Sequence, residues 1–151
     1  MCCSGEGMFR KDEVAVQEWS IENVDTCWQR QRRILRDIWP CLKTGGLLVY
    51  STCTYNREEN EDNVAWIAQE LGADVLPLEM QPDWHITGNL IGTEFPVYRF
   101  LPHKTTGEGL FLAVLRKTAD EPAVVCGQRP VGRLPKKEKE VRLLHFKCLR
   151  R

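Results

Sequence analysis

The sequence predicts an α/β fold: the second half of a doubly wound domain, ending in an antiparallel hairpin. Three observations carry this. Helix-like and strand-like segments alternate between residues 23 and 78. Two further strand-like runs, 97–101 and 110–116, flank a turn-forming stretch that holds Gly107 and Gly109. Glycine or proline punctuates most of the boundaries between segments.

Taken in order, the chain opens on a loop, Cys3-Ser4-Gly5-Glu6-Gly7, with no element before it to hold it. Such loops connect one element to another, so the expectation is that the chain begins inside a larger domain. Residues 23–42 read as a helix, because Trp28, Gln31, Leu35, Ile38, Trp39 and Leu42 recur at three- and four-residue steps. Gly45 and Gly46 stop it. Residues 47–52 read as a short buried strand, apolar and bounded by turn signals. Asn56 with Glu59 three residues later forms a capping-box pattern, which starts the next helix there. Val64, Ile67, Ala68 and Leu71 give its apolar face and Gly72 its end. Residues 75–78 read as a strand, 81–94 as a loop, and the hairpin follows.

Composition narrows the class. Of 151 residues 28% are charged, and 21 basic residues balance 21 acidic ones, as in a soluble globular chain. No apolar run approaches the roughly 20 residues that cross a bilayer. The N-terminus lacks the basic head and apolar core of a signal peptide. The seven cysteines are therefore expected as reduced thiols in the cytoplasm. An odd count argues against a closed disulfide framework, and the lack of Cys-x-x-Cys spacing argues against a structural metal site. Charge is uneven along the chain. Arg129, Arg133, Lys136, Lys137, Lys139, Arg142, Lys147, Arg150 and Arg151 face only Glu138 and Glu140, a balance suited to phosphates or simply to a solvated end.

Cys53 sits at the carboxyl end of the 47–52 strand, the edge where ligands bind in doubly wound sheets. The helix expected to follow would favour its thiolate, although the acidic first turn opposes this. Alone, the position reads more readily as a small strand-end residue than as a nucleophile. Cys3 adds weight to the second reading. One helix and one strand separate it from Cys53, the spacing of adjacent parallel strands in a βαβ unit, which would face both thiols into one crevice.

A run of motifs makes a resemblance specific. They are Cys3-Ser4-Gly5-Glu6-Gly7-Met8-Phe9-Arg10-Lys11-Asp12, Gln29-Arg30-Gln31, Leu42-Lys43-Thr44-Gly45-Gly46, Tyr50-Ser51-Thr52-Cys53-Thr54 and Asn56-Arg57-Glu58-Glu59-Asn60-Glu61. With Val97 to His103 and Gly107 to Ala113, this series resembles the Nop/Sun family of RNA cytosine-C5 methyltransferases, and within it the bacterial RsmF-like enzymes of ribosomal RNA. It covers residues 3 to about 117.

The resemblance implies a Rossmann-like domain that takes its methyl group from S-adenosylmethionine. Residues 1–117 would be the C-terminal part of that domain, with the cofactor-binding half missing. Residues 118–151 would be a basic linker or the start of an RNA-binding region. Cys53 corresponds to the nucleophile that bonds C6 of cytosine, and Cys3 to the thiol that assists product release. DNA cytosine methyltransferases use the cysteine in the Cys3 position as nucleophile, but the Thr52-Cys53 context favours the RNA arrangement. Arg10, Lys11, Thr52 and His103 are expected to meet the substrate, and RNA, ribosomal RNA above all, is the expected partner.

Departures accompany the match. The family has Asp-Ala-Pro before its first cysteine, where this chain has Met1 and Cys2. The glycine-rich cofactor turn, the ribose-binding acid and the catalytic lysine are not found, so the chain by itself is expected to be inactive. Gly5-x-Gly7 and Gly107-x-Gly109 are no substitutes, since neither has the full spacing in a strand-to-helix setting. A half-sheet of this kind would expose apolar surface and could associate with itself.

Each remaining candidate has a plainer alternative. His103 also fits as an ordinary hairpin residue, and Arg10 and Lys11 as parts of a solvated loop. Trp28, Trp39 and Trp66 fit helical core faces, which leaves Trp84 as the loop tryptophan able to stack a base. Cys27 and Cys41 read as packing residues. The alternative in another class is a non-catalytic RNA-binding or assembly module whose basic tail supplies affinity.

Overall fold

A computed structural model describes residues 3–118; Met1, Cys2 and the basic segment from 119 to 151, with His145 and Cys148, lie outside the described residues. Helices α1 (Glu13–Glu18) and α2 (Ile21–Ile38) precede strand β1 (Leu47–Thr52). Helix α3 (Glu61–Glu70), strand β2 (Ala73–Leu76), and strands β3 (Tyr98–Phe100) and β4 (Leu110–Lys117) follow.

The α/β expectation holds, and β3 and β4 form the expected antiparallel pair, with Tyr98 opposite Leu112. The sheet order differs from the simple picture. β4 runs through the centre of the sheet, antiparallel to β1 along one side, with Leu47 opposite Arg116 and Thr52 opposite Phe111. Along its other side it pairs first with β3 and then with β2. β1 and β2 are thus parallel to each other but not adjacent, and α3 crosses over between them. The strand expected to lead into Cys3 as the parallel neighbour of β1 falls before residue 3, outside the described residues; after Cys3, residues 4 and 5 are loop and Glu6–Met8 forms a single 3₁₀ turn.

The core lies between one face of this sheet and the two long helices. Leu35 and Trp39 from α2 and its C-terminal turn, and Val64, Trp66 and Ile67 from α3, pack on Tyr50, Phe111, Ala113 and Leu115. Fully burying each large apolar side chain contributes about 1.5–3 kcal/mol. The opposite face stays open. Leu47 and Val49 of β1 are 54% and 62% exposed, and the outer edge of β1 has no partner strand among the described residues.

Boundaries moved for local reasons. α2 starts at Ile21 because the Ser20 hydroxyl accepts the Asn23 N–H at 3.1 Å. It ends at Ile38, not Leu42, because Pro40 cannot continue the helical bonding; a 3₁₀ turn, Trp39–Cys41, follows. Cys41 is exposed there rather than packed, whereas Cys27 is buried as expected. α3 begins five residues after Asn56. The Asn56 side chain does accept the Glu59 N–H at 2.9 Å, but it caps a turn and the helix starts only at Glu61. β2 lies two residues earlier than expected, since the Leu78 N–H is taken by the Tyr98 hydroxyl instead of a strand. α1, with its Asp12 cap, had no apolar periodicity to announce it.

Candidate functional site: a pair of thiols stapled by two buried carboxylates

β1 delivers Cys53 at its carboxyl end, and the loop before α1 delivers Cys3. Their sulfurs stand 2.9 Å apart, half-buried, each able to donate to the other. The convergence expected of them is present.

Two carboxylates hold the loops together. Glu6, from the Cys3 loop, accepts the backbone N–H groups of Tyr55 and Asn56 at 2.6 and 2.9 Å, just beyond Cys53. It also accepts from the Asn56 side chain and from Trp19 Nε1. Glu59, from the turn after Cys53, reaches back to accept the Ser4 N–H at 3.1 Å, next to Cys3. Its other donors are Gln31 Nε2 at 2.7 Å and Asn56 Nδ2 at 2.9 Å. Glu59 is fully buried and Glu6 nearly so. A buried carboxylate is tolerated only with such a complement of donors. Burial opposes the charge of Glu6, but hydrogen bonds from Asn56, Thr54, Tyr55 and Trp19 outweigh it and hold its pKa below the usual carboxylate value.

Backbone packing adds a further constraint. A Cβ at Gly7 would sit 2.1 Å from the Cys53 carbonyl oxygen, so only glycine lets the two loops touch. Behind the loops, Gln31, Tyr50 and Asn63 form a buried polar cluster with the Glu59 carbonyl. Arg99 and Glu61 form a separate buried pair, with Arg99 Nε 2.8 Å from the Glu61 carboxylate and the guanidinium also donating to the Tyr55 carbonyl at 2.9 Å.

The two thiols titrate as a unit. The hydrogen bond from Cys53 draws Cys3 down to about 6, with smaller help from backbone donors at Cys53 and Gly5, against burial and the charge of Glu59. The same bond, burial and the charge on Cys3 push Cys53 well above the ordinary thiol range. At neutral pH the pair therefore holds one proton between two sulfurs. This places the resting charge on Cys3, not on the residue that the resemblance assigns as nucleophile.

The other expected site residues divide. Arg10 and His103 come together, lining a cavity of about 630 Å³ with Glu6, Phe9, Tyr55 and Pro102. Lys11 is turned away to an ion pair with Glu108 at 3.0 Å. Thr52 is buried, its hydroxyl bonded to Asn60. Trp84 is 53% exposed in a 3₁₀ turn, while Trp39 and Trp66 are core and Trp28 is half-buried against Arg32. Sequence reasoning missed Glu6, Phe9 and Tyr55, and saw Glu59 only as a helix cap. An acid inside a tight glycine loop, Gly5-Glu6-Gly7, was the available signal.

Among the described residues neither glycine pair forms a nucleotide-binding turn. Gly5 precedes a single 3₁₀ turn and Gly107 lies in the β3–β4 loop, so neither joins a strand to a helix. Trp39 Nε1, deep in the core, is the only buried side-chain polar atom among the described residues that lacks a partner. No group of three or more metal-ligating side chains occurs among them, and no helix is long and apolar enough to cross a membrane.

Known proteins share this arrangement of sequence and fold. Ribosomal RNA small subunit methyltransferase F of Vibrio cholerae is 35% identical over 133 residues, and that of Escherichia coli O9:H4 is 39% identical over 136. Each alignment covers 88% of this chain, which spans only 28% of those relatives' length. The structure of NSun6 from Pyrococcus horikoshii with SFG superposes with a TM-score of 0.64 at 31% identity, over 80% of this chain and 29% of that one. A methyltransferase homolog protein from the same organism gives 0.57 at 30% identity, over 77% of this chain and 36% of its own. The family model described as 16S rRNA methyltransferase RsmB/F matches residues 1–116, and the chain belongs to that family.

Proposed function

We propose that the intact protein is a cytoplasmic enzyme that transfers a methyl group from S-adenosylmethionine to C5 of a cytosine in ribosomal RNA. The observation that carries this reading is the 2.9 Å contact between the Cys3 and Cys53 sulfurs. C5 of cytosine is a poor nucleophile. A sulfur bonded to C6 makes it electron-rich, so covalent addition divides a difficult step into easier ones.

The pair supplies its own proton transfer. The Cys53 S–H proton passes along the hydrogen bond to the Cys3 thiolate, which frees Cys53 to add to C6. After C5 has been substituted it gives its proton to solvent water, and the electrons of that C–H bond restore the C5–C6 double bond as the Cys53–C6 bond breaks. The departing thiolate recovers the proton held on Cys3. Cys53 is thus the nucleophile and Cys3 first its base and then the acid that lets the product go. The resting charge on Cys3 is compatible with Cys53 as nucleophile, because one proton shift of this kind exchanges the two.

The cavity beside the pair suits an extruded nucleotide. The rings of Phe9 and Tyr55 offer faces to a base, and Arg10 and His103 lie at the same wall. Lys11 and Thr52 would then act indirectly, Lys11 by pinning the β3–β4 loop through Glu108 and Thr52 by fixing the strand end through Asn60.

S-adenosylmethionine is proposed as donor on the family and on the relative solved with SFG, an analogue of it. Because neither glycine pair supplies a nucleotide-binding turn, the chain alone is expected to show no heat of binding in calorimetric titration with S-adenosylmethionine. Tight binding would relocate the cofactor site into these residues. The open sheet face around Leu47 and Val49 is proposed to drive self-association of this chain, read as a rise in sedimentation coefficient with concentration. The functional test is bisulfite sequencing of 16S rRNA from cells whose intact protein carries Cys53→Ala. Loss of a 5-methylcytosine supports the reading; an unchanged methylation pattern removes it.

A further inference from the structure

We propose that the groove along α2, beside α3, is a second RNA-contact site that grips phosphates, separate from the thiol pair. The proposal deepens the reading of RNA as substrate and rests on it. The groove has a volume of about 700 Å³ and is walled by Arg30, Arg32, Arg33 and Arg36 with Trp28 at one end. Over residues 30–38 the opposing charge is Asp37 alone.

The floor is built, not incidental. Arg32 stacks 4.5 Å from the Trp28 ring and 5.2 Å from that of Trp66, while Arg36 lies 5.1 Å over Trp66. Arg32 Nε donates to Asn63 at 2.8 Å, so this guanidinium is fixed in place. Of the acids near the groove, Asp62 and Asp25 are already occupied, while Glu70 acts on Arg32 through its charge alone. Asp62 holds Arg57 through two bonds of 2.9 and 3.0 Å, and Asp25 accepts from Trp28 Nε1 at 3.0 Å. Among the described residues no ion pair neutralises Arg33 or Arg36.

The geometry favours phosphate over an acidic peptide. Arg36, whose face lies on the Trp66 indole, keeps its N–H edge for in-plane pairing with phosphate oxygens, while Arg32 has its Nε and one Nη committed to Asn63 and the Asp62 carbonyl. Arg30 to Arg36 spans about 9 Å of helix axis. That matches two to three phosphates of one strand at roughly 3.4 Å per nucleotide.

The test uses the full 151-residue chain. Binding of a labelled RNA stem-loop is followed by fluorescence anisotropy as salt is raised. Wild type is compared with Arg33→Gln/Arg36→Gln and with Arg33→Lys/Arg36→Lys, thermal unfolding confirming that each folds. The basic segment after residue 118 is common to all three, so the difference isolates the groove. Losing two phosphate contacts flattens the log–log salt slope by about 1.4 to 1.8, so between about 50 and 200 mM salt the fold-loss of affinity in the Gln variant is about 7 to 12 times smaller than in wild type. The Lys variant keeps the slope. Equal slopes for wild type and the Gln variant overturn the proposal. Displacement of the RNA by a poly-glutamate peptide at equal charge concentration would also overturn it, assigning the groove to an acidic protein. RNA binding through the groove without a covalent adduct at Cys53 removes the cytosine chemistry and leaves the groove standing; an adduct with no change in slope does the reverse.

Discussion

Replacing Cys53 with alanine removes the donor that lowers the Cys3 pKa, and the size of the effect follows from the structure. With Cys53 in place Cys3 ionises at about 6, so about 90% of it is thiolate at pH 7. Without that bond burial and the charge of Glu59 favour the thiol, opposed only by the backbone donors at residue 53 and Gly5, which the substitution leaves in place. Cys3 should then titrate near the ordinary value of about 8.5, leaving about 3% thiolate at pH 7. That is about a 30-fold loss of the reactive form. A rate at one pH would conceal it, because a more basic thiolate is also the better nucleophile, by roughly tenfold over this range. The informative quantity is the midpoint of the pH–rate profile for alkylation by iodoacetamide, followed at Cys3 by peptide mass spectrometry. The midpoint should rise by about 2.5 pH units in the variant. A Cys3 midpoint that remains near 6 after the donor is gone would refute the shared-proton account.

Three further outcomes test the frame around the thiols. Gly7→Ala puts a carbon 2.1 Å from the Cys53 carbonyl oxygen; it should cost about 1–3 kcal/mol in urea unfolding and move the Cys3 midpoint upward as the loops part. Glu61→Gln leaves the buried Arg99 guanidinium without its counter-charge and should destabilise the chain by about 3–5 kcal/mol, read from the same urea transition. Glu6 has a folded pKa below its unfolded value near 4.3, so its contribution is present above about pH 4.3 and is lost as the pH falls through the folded pKa. Thermal melts should show wild type losing stability over that acidic window and Glu6→Gln losing less.

What the residues reveal on inspection is mostly local. The run Leu47 to Thr52, closed by Gly46 on one side and polar on the other, announces a strand with Cys53 at its end. The steps through Trp28, Gln31, Leu35 and Trp39 announce α2, although its buried stripe runs through Val24, Cys27, Gln31 and Leu35, with Trp28 half-buried and Ile38 exposed. What inspection does not reveal is long-range pairing. Nothing in Leu110 to Lys117 says that this strand enters between β1 and β2, since the alternation of Phe111, Ala113 and Leu115 fits any half-buried strand. The staple was hidden for the same reason. Glu6 and Glu59 find their donors 49 and 55 residues away in the chain, whereas the capping pattern at Asn56 offered a nearby explanation for Glu59. The thiols were found by family motif and by spacing. The spacing argument reached the right meeting point through a parallel strand that the described residues do not contain.

Covalent trapping measures the central claim most directly. The intact protein is incubated with RNA carrying 5-fluorocytosine at the target position, which blocks loss of the C5 substituent and retains the sulfur–C6 bond. Mass spectrometry of the cross-linked peptide then names the sulfur. The account predicts an adduct on Cys53 that persists in Cys3→Ala and vanishes in Cys53→Ala. An adduct carried by Cys3, lost only in Cys3→Ala, would contradict it.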